Sequence, residues 1–284
     1  MKTDGVPTDR YALIGYPVSH SRSPFIHGMF AAATDQNMLY QLIEVLPGRV
    51  TDDIRSFFDL GGKGLNVTVP YKGAAADTVD ILTTRASDAH AVNTIFRDDS
   101  GALVGDNTDG VGLTRDLEEN LNLTLAGQNI LILGAGGATH GVLGPLLDRK
   151  PSAICIANRT LERAAELAAR YLGKGHIHVS GFHNIGRGPF DLIINATSAG
   201  LSGDIPPLPP EIIHSQTICY DMSYKSGGTP FTTWAQEHGV AMAHQGLGML
   251  VEQAAEAFFI WRGIRPNTEP VLRALRENTP AKTL

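Results

Sequence analysis

The segment Asn129-Ile130-Leu131-Ile132-Leu133-Gly134-Ala135-Gly136-Gly137-Ala138 contains the pattern that decides the fold of half this chain. Its apolar run predicts a buried strand, and the glycines that follow predict a sharp turn into a helix. Such a turn lets the backbone approach a pyrophosphate group at the N-terminus of the helix. Thr139 replaces the third glycine of the dinucleotide-binding pattern, and Pro145 lies inside the predicted helix. The alternative interpretation is an ordinary strand-to-helix turn.

The next predicted strand, Ala153–Ala157, is followed by Asn158-Arg159-Thr160. An acidic residue at this point binds the ribose 2′-hydroxyl of NAD, and none is present. Arg159 suits a 2′-phosphate instead, and Arg163 lies one helical turn further on. Because cations near a helix N-terminus oppose the helix dipole, two arginines there favour a bound anion. The sequence therefore predicts NADP, and the alternative is a pair of solvated surface arginines beside Glu162.

Short β-branched runs alternate with helical stretches on both sides of this segment, which predicts an α/β protein with mainly parallel sheets. The predicted strands are Tyr11–Ile14, Leu39–Val45, Gly64–Pro70, Asn129–Leu133, Ala153–Ala157, Leu192–Asn195 and Thr217–Met222. The predicted helices are Pro24–Ala33, Val50–Leu60, Thr108–Leu121, Leu161–Leu172 and Met249–Arg262. We expect two domains that divide between Asp106 and Gln128.

Composition excludes several classes of protein. The chain has 284 residues, a net charge of −6 and 43% hydrophobic residues, so it suits two packed domains and not a nucleic-acid binder or a disordered chain. Its two cysteines, Cys155 and Cys219, lie in apolar runs and predict neither disulfides nor a zinc site, which suits the cytoplasm. We expect no signal peptide, no membrane span and no metal site; His176 and His178 share a strand face without a third ligand.

The stretch His20-Ser21-Arg22-Ser23-Pro24 lies between a predicted strand and a predicted helix. Ser23 is a suitable N-cap residue, and proline is common at the first helical position. Two hydroxyl groups at a helix N-terminus also form an anion site that suits a carboxylate. Ser21 and Ser23 are therefore candidate ligands for a carboxylate, with simple helix capping as the alternative.

The stretch Leu65-Asn66-Val67-Thr68-Val69-Pro70-Tyr71-Lys72 places Asn66 and Thr68 on one face of a predicted strand. Buried polar side chains need partners, and Lys72 follows the carboxyl end of the strand, where open α/β sheets bind ligands. The alternative for Lys72 is a surface lysine after a turn.

A pair of aspartates occurs in Gly105-Asp106-Asn107-Thr108-Asp109-Gly110, which comes after Ala91-Val92-Asn93-Thr94. Both aspartates precede a predicted helix and suit capping. If Asp109 lies near Lys72, the two side chains form the acid–base pair that a carbonyl reduction needs, because the alkoxide formed by hydride transfer must receive a proton.

These stretches resemble the shikimate dehydrogenase family over nearly the whole chain. The resemblance also rests on Gly134-Ala135-Gly136-Gly137-Ala138, Asn158-Arg159-Thr160, Asn195-Ala196-Thr197-Ser198-Ala199-Gly200, Tyr220-Asp221-Met222 and Gly246-Leu247-Gly248-Met249-Leu250-Val251-Glu252-Gln253. The family reduces 3-dehydroshikimate to shikimate with NADPH in aromatic amino-acid biosynthesis. The resemblance implies a small-molecule substrate, no nucleic-acid or membrane partner, and a monomer or homodimer.

The resemblance also implies roles for individual residues. Lys72 and Asp109 match the catalytic pair, in which Lys72 donates the proton and Asp109 orients the Lys72 side chain. The residues that match the substrate site are Ser21 and Ser23 for the carboxylate, Thr68, Asn93, Asp109, Tyr224 and Gln253 around the ring hydroxyls, and Asn66 as support for the pocket. The residues that match the cofactor site are Gly134, Ala135, Gly136, Gly137, Ala138, Asn158, Arg159, Thr160, Arg163, Asn195, Thr197, Ser198, Met222 and Gly246.

The resemblance implies an α/β substrate-binding and catalytic domain at residues 1–107 and 252–284, a Rossmann-like NADP-binding domain at residues 108–251, and a cleft between them. One alternative function is a quinate/shikimate dehydrogenase that accepts NAD, against which Arg159 and Arg163 argue. The other is a non-catalytic sensor of a shikimate-type metabolite, which would have no need of both Lys72 and Asp109.

Overall fold

The computed structural model describes residues 8–186, 188, 190–197 and 204–277. Within it the chain divides into two compact units. The first unit comprises the residues up to Gly112 together with Val251–Arg273, and the second comprises Leu113–Leu250 and the residues from Ala274 onward. No helix in these described ranges is long and apolar enough to cross a membrane.

The first unit contains a six-stranded mixed sheet in the order β2-β1-β3-β5-β6-β4. Its strands are β1 (Asp9–Gly15), β2 (Met38–Glu44), β3 (Gly64–Val67), β4 (Ile81–Leu82), β5 (Thr94–Arg97) and β6 (Leu103–Asp106). Strand β1 is parallel to both of its neighbours, and β5 is antiparallel to β3 and β6. The helices of this part of the chain are α1 (Ser23–Ala33), α2 (Val50–Asp59), α3 (Lys72–Thr78), α4 (Thr84–Ala89) and α5 (Asp109–Arg115).

The second unit contains a six-stranded parallel sheet in the order β12-β11-β10-β7-β8-β9. Its strands are β7 (Asn129–Leu133), β8 (Ala153–Ala157), β9 (Ile177–Ser180), β10 (Leu192–Asn195), β11 (Ile218–Asp221) and β12 (Met242–Gln245). The remaining helices are α6 (Gly137–Asp148), α7 (Leu161–Ala169), α8 (Pro230–Glu237), α9 (Leu247–Arg262) and α10 (Glu269–Glu277). The strand order reverses between β7 and β10, which is where such sheets bind ligands.

The central strand β7 is apolar from Ile130 to Leu133 because both of its faces are covered. Ile130 and Ile132 pack into the core on one face, whereas Leu131 and Leu133 pack into a separate core on the other. Because helices cover both faces of a parallel sheet, the four side chains from Ile130 to Leu133 are all buried. The predicted α/β class with mainly parallel sheets and a Rossmann-like half is confirmed.

Two predictions at the start of the chain are wrong in detail. Helix α1 begins at Ser23 itself, Arg22 occupies the N-cap position, and no side chain caps the helix there. The predicted strand Gly64–Pro70 ends at Val67, so Thr68 does not share a strand face with Asn66. Val69 is exposed because the chain has already left the sheet at that point.

The helix predicted over Thr108–Leu121 consists of α5 followed by a π-helical turn at Asp116–Asn120. Helix α6 continues past Pro145, and α9 ends at Arg262 before Gly263, as predicted. Helix α7 ends at Ala169, three residues earlier than the sequence suggested.

Candidate active site

Lys72 and Asp109 lie together in the first unit, at the first residues of α3 and α5. The Lys72 Nζ donates a hydrogen bond to Asp109 Oδ2. The other carboxylate oxygen of Asp109, Oδ1, accepts from Asn93 Nδ2 at 2.8 Å. Asp109 is buried and the Lys72 side chain is 20% exposed, so this ion pair has one side open to a ligand.

The turn before α5 holds the Asp109 backbone through a chain of short contacts. Asn107 Oδ1 accepts from the Asp109 amide at 3.1 Å, and Asn107 Nδ2 donates to the Ala91 carbonyl at 2.9 Å. One residue earlier, Asp106 Oδ1 accepts from the Asn107 amide at 2.7 Å and from Arg85 Nε at 2.6 Å. Arg85 Nη2 donates to Asp106 Oδ2 at 2.8 Å, so the pair is bidentate. The Asp106 carboxylate therefore anchors the turn that carries Asp109.

The predicted carboxylate ligands Ser21 and Ser23 are hydrogen-bonded to each other. Ser21 Oγ donates to Ser23 Oγ at 3.1 Å, and the Ser23 amide donates to Ser21 Oγ at 3.2 Å. Ser23 is buried at the first turn of α1, and Ser21 is half-buried. The pair therefore lies at an N-terminus with no side-chain cap, where backbone N–H groups favour an anion.

The structure brings some of the other predicted substrate residues into the same polar network. Asn66 Nδ2 donates to the Asn93 carbonyl at 3.0 Å, and Gln253 Oε1 accepts from Thr108 Oγ1 at 3.4 Å. Thr68 lies one residue beyond β3, and its side chain makes no hydrogen bond to another described residue. Tyr224 belongs to the second unit, where it follows β11 and is 39% exposed.

The glycine turn of the second unit adopts a conformation that requires its first glycine. Gly134 has φ +100°, and a Cβ there would lie 3.1 Å from Thr197 Cγ2. Thr139, in the place of the missing third glycine, donates from Oγ1 to the Gly134 carbonyl at 2.8 Å. The threonine thus closes the turn from inside α6. Gly136 occupies the N-cap position of α6 without a side-chain cap, and a Cβ at Gly136 or Gly137 would meet nothing within 4 Å. The N-terminal amides of such a helix suit a pyrophosphate.

The residues after β8 lie directly beside this turn. Asn158 Oδ1 accepts from the Ala135 amide at 3.2 Å, and Asn158 Nδ2 donates to the Thr160 carbonyl at 2.7 Å. Arg159 and Arg163 are both exposed at the start of α7. No ion pair involves either arginine within the part of the chain that is described.

The predicted nicotinamide-side residues lie at the carboxyl ends of β10, β11 and β12. Asn195 Oδ1 accepts from Thr197 Oγ1 at 2.7 Å, and the Met222 amide donates to the Asn195 carbonyl at 2.9 Å. A Cβ on Gly246 would lie 2.3 Å from the Met222 carbonyl oxygen, so this close approach requires glycine. Ser198, also predicted to contact the cofactor, lies outside the described residues.

No group of three or more metal-ligating side chains occurs in the ranges that the structure describes. His178 lies on the edge strand β9 and is exposed, whereas His176 lies one residue before that strand.

Sequence reasoning missed three side chains that hold the network. Tyr40 OH donates to Asn66 Oδ1 at 2.7 Å, Thr94 Oγ1 donates to Asn93 Oδ1 at 2.9 Å, and Arg85 clamps Asp106 as described. Thr94 belongs to the Ala91-Val92-Asn93-Thr94 motif, so the sequence does mark its position. Tyr40 lies in a segment whose local pattern predicts only a strand, and Arg85 lies in α4, which the sequence analysis does not predict.

Three family models match the chain. They are the shikimate dehydrogenase substrate binding domain at residues 13–95, shikimate / quinate 5-dehydrogenase at residues 116–202, and the shikimate 5′-dehydrogenase C-terminal domain at residues 246–276. The matches cover both units.

Whole-chain relatives agree with these models. The chain is 52% identical to the shikimate dehydrogenase (NADP(+)) of Aeromonas salmonicida over 270 residues, which is 95% of this chain and 98% of the relative. The structure is similar to that of an Ael1 enzyme from Pseudomonas putida, with a TM-score of 0.89, 43% identity and coverage of 94% and 98% of the two chains. It is also similar to a shikimate dehydrogenase solved with NADP+, with a TM-score of 0.87, 34% identity and 96% coverage of each chain. On these matches, the chain belongs to the shikimate dehydrogenase family.

Proposed function

We propose that this chain catalyses the NADPH-dependent reduction of 3-dehydroshikimate to shikimate. The observation that carries the proposal is the Lys72–Asp109 pair, in which a lysine ammonium is held beside a buried carboxylate with one side open. NADPH supplies the hydride that attacks the ring ketone. The names of the relatives support this reaction and this cofactor.

Lys72 is the proton donor of the proposed reaction. A lysine side chain carries its proton at neutral pH, so it both stabilises the developing alkoxide and donates the proton that the product hydroxyl requires. Asp109 accepts a hydrogen bond from Lys72 and so fixes the direction of its Nζ. Asn93 holds the Asp109 carboxylate from the opposite side at 2.8 Å.

Substrate recognition uses polar groups of matching chemistry. Ser21 and Ser23 at the start of α1 bind the substrate carboxylate. The residues proposed to face the ring hydroxyls are Thr68, Asn93, Asp109, Tyr224 and Gln253, with Asn66 as support. A pocket built to hydrogen-bond hydroxyl groups strongly rejects ligands that lack them, because the pocket's polar groups would remain unpaired.

The second unit is proposed to bind NADP at the carboxyl edge of its sheet. The Gly134–Ala138 turn and the α6 N-terminus receive the pyrophosphate, and Asn158, Arg159, Thr160 and Arg163 surround the 2′-phosphate. The nicotinamide side is formed by Asn195, Thr197, Ser198, Met222 and Gly246. We propose residues 108–251 as the NADP-binding domain, residues 1–107 with 252–284 as the substrate domain, and the cytoplasm as the compartment, which suits two free thiols.

The direct test is an absorbance assay of NADPH or NADH formation, in which the purified protein receives shikimate or quinate with NADP or NAD. We expect turnover with shikimate and NADP to exceed the other three combinations. Comparable turnover with quinate or NAD would indicate the broader quinate/shikimate enzyme. A folded protein that binds shikimate and turns over no combination would be a sensor, and the proposal would be wrong.

Two variants test the assigned roles. Lys72→Ala should lower kcat by at least about 10²-fold and change the shikimate KM far less, because the interaction is made in the transition state. Lys63→Ala, at an exposed lysine before β3, is the matched control and should keep the wild-type kcat. Near-wild-type turnover by Lys72→Ala would remove Lys72 from the chemistry.

Arg159→Ala should raise the KM for NADP and leave the KM for NAD unchanged, because only NADP carries the 2′-phosphate. Arg170→Ala, an exposed arginine that follows α7, is the matched control and should affect neither. Equal effects of Arg159→Ala on the two cofactors would contradict the assignment.

A further inference from the structure

A continuous chain of side-chain hydrogen bonds crosses the first unit and ends at Asp109. It passes through Tyr40 on β2, Asn66 on β3 and Thr94 on β5, and it reaches Asp109 through Asn93. Asn66 and Thr94 are paired across neighbouring strands, so the chain runs across the sheet and not along a strand. Tyr40 and Thr94 have no role in the functional assignments made so far.

Backbone groups fix the orientation of both amide side chains in this chain. The Thr108 amide donates to Asn93 Oδ1 at 2.9 Å, which leaves Asn93 Nδ2 as the atom that faces Asp109. The Asn93 carbonyl accepts from Asn66 Nδ2 at 3.0 Å, which leaves Asn66 Oδ1 as the atom that faces Tyr40. A backbone N–H can only donate and a carbonyl can only accept, so neither amide can be reversed without loss of a bond.

The hydroxyl protons of the chain then have one arrangement. Tyr40 donates to Asn66 Oδ1 at 2.7 Å. Thr94 accepts from Asn66 Nδ2 at 3.1 Å and donates to Asn93 Oδ1 at 2.9 Å. Every bond in the chain therefore points from Tyr40 towards the Asp109 carboxylate.

Burial restricts these two hydroxyls to this role. Thr94 is fully buried and Tyr40 is 9% exposed, and the Tyr40 ring is stacked on His27 at 4.2 Å between ring centroids. Burial lowers the pKa of His27 to about 3, so the stacked ring is neutral. Both hydroxyls are enclosed by the network and act on a ligand only through Asn66 and Asn93.

We propose that Tyr40 and Thr94 are positioning residues that hold the Asn93 amide and the Asp109 carboxylate at the geometry that Lys72 needs. This inference rests on the proposed function. Loss of either hydroxyl leaves an amide anchored at fewer points, so that Asp109 and Lys72 can move together. A misplacement of about 1 Å in a reacting group costs up to about 10²-fold in rate, so a tenfold loss is expected from a partial loosening.

Thr94 offers a pair of substitutions with opposite chemistry. Thr94→Val keeps the shape of the side chain and removes the hydroxyl, whereas Thr94→Ser keeps the hydroxyl and removes a buried methyl group. We expect Thr94→Val to lower kcat about tenfold with the KM for NADP unchanged. Thr94→Ser should keep kcat within about twofold of the wild type, even where the lost methyl group lowers its Tm.

Tyr40 offers a second, independent test. Tyr40→Phe removes the hydroxyl and keeps the ring stacked on His27, and it should also lower kcat about tenfold. Tyr11→Phe is the matched control: Tyr11 is a buried tyrosine on β1 whose hydroxyl accepts from Arg262 Nη1 at 3.2 Å, outside the chain. The Tyr11→Phe enzyme should keep the wild-type kcat.

The results separate positioning from a merely structural role. If kcat follows Tm across the four variants, or if Thr94→Val and Tyr40→Phe turn over at the wild-type rate, the proposal is wrong. An inactive wild-type protein would instead overturn the proposed function. In that event proton NMR of the ligand-free protein decides on the chain: a slowly exchanging Tyr40 hydroxyl resonance that shifts in Thr94→Val supports it, and its absence overturns it.

Discussion

Replacement of Arg85 by methionine should destabilise the first unit more than any loss of a surface ion pair. The Arg85 guanidinium makes two parallel bonds to Asp106, at 2.6 Å and 2.8 Å, and lies 3.4 Å from Glu256. Asp106 is 5% exposed, so removal of Arg85 leaves a buried carboxylate with hydrogen bonds from Thr83 and the Asn107 amide. A methionine retains most of the apolar stem, so the charge is the main loss.

The size of the effect follows from this geometry. Removal of one partner of a buried ion pair costs about 3–5 kcal/mol, because the remaining charge is no longer compensated. The Arg85 side chain is 29% exposed, so water can reach Asp106 after the substitution and the lower end applies. With a urea dependence of about 2 kcal/mol per molar, a loss of about 3 kcal/mol lowers the unfolding midpoint by roughly 1.5 M.

The measurement is equilibrium unfolding in urea, followed by tryptophan fluorescence. The chain has two tryptophans, of which Trp261 lies in the first unit and Trp234 in the second. A Trp234→Phe background therefore makes the signal report on the first unit alone. Arg49→Met, which removes an exposed pair with Asp53 in α2, is the matched control and should cost less than about 1 kcal/mol.

The pH dependence gives a second, independent readout. Burial by itself would raise the pKa of the Asp106 carboxyl, but the hydrogen bonds and charge of Arg85 outweigh it and hold the pKa below its ordinary value. The ionised Asp106 therefore contributes stability that is present above about pH 4, the unfolded pKa, and is lost as the pH falls through the folded pKa.

In Arg85→Met burial is left largely uncompensated, so the variant gains relative stability when Asp106 takes up a proton. The difference between the wild type and Arg85→Met should shrink as the pH falls from neutral towards the unfolded pKa of about 4. A loss below about 1 kcal/mol, or a difference that stays constant with pH, would refute the reasoning.

Three further outcomes follow from contacts in the second unit. Gly246→Ala places a Cβ 2.3 Å from the Met222 carbonyl and should cost about 1–3 kcal/mol in urea unfolding and raise the KM for NADP, whereas Gly181→Ala, which meets nothing within 4 Å, should do neither. Tyr220→Phe removes the hydroxyl that donates to buried Asp116 at 2.6 Å and should cost about 2 kcal/mol, with the Tm as the measurement. Burial raises the pKa of the Cys219 thiol to about 12, so a thiol reagent at pH 8 should modify this thiol in a Cys155→Ser background only after unfolding.

Local patterns were sufficient for much of this fold. The apolar run at β7 and its glycines predicted a strand, a turn and a helix, and all three are present. Helix bounds were less accurate. The end of α7 was predicted at Leu172, before Gly173, but the helix ends at Ala169 and Gly173 lies in a turn beyond it. Which apolar residues pack, and not the glycine, determines where this helix ends. The short strands β5 (TIFR) and β6 (LVGD) were missed because polar residues and a glycine shorten their apolar runs, whereas β10 (LIIN), of the same length, has three consecutive apolar residues.

The candidate site divides in the same way between what motifs reveal and what only packing reveals. Lys72 and Asp109 are 37 residues apart, and each is marked by its own local motif; the family resemblance, and not the spacing, implied that they form a pair. Tyr40 carries no such mark: it is a strand residue of β2, and its meaning depends on the pairing of Tyr40 with Tyr11 and of Asn66 with Leu13 on β1.

Strand β1 lies between the strands of Tyr40 and Asn66, and their partners on β1, Tyr11 and Leu13, are two residues apart. Tyr40 and Asn66 therefore lie on the same face of the sheet. A long side chain is required to cross that distance, and tyrosine has both the length and a terminal hydroxyl. The register of three strands, and not any local pattern, therefore selects this residue. Residues that orient a reacting group through other side chains should in general escape sequence patterns for this reason, whereas the reacting groups themselves, which must lie at strand ends and helix starts, can be found from sequence.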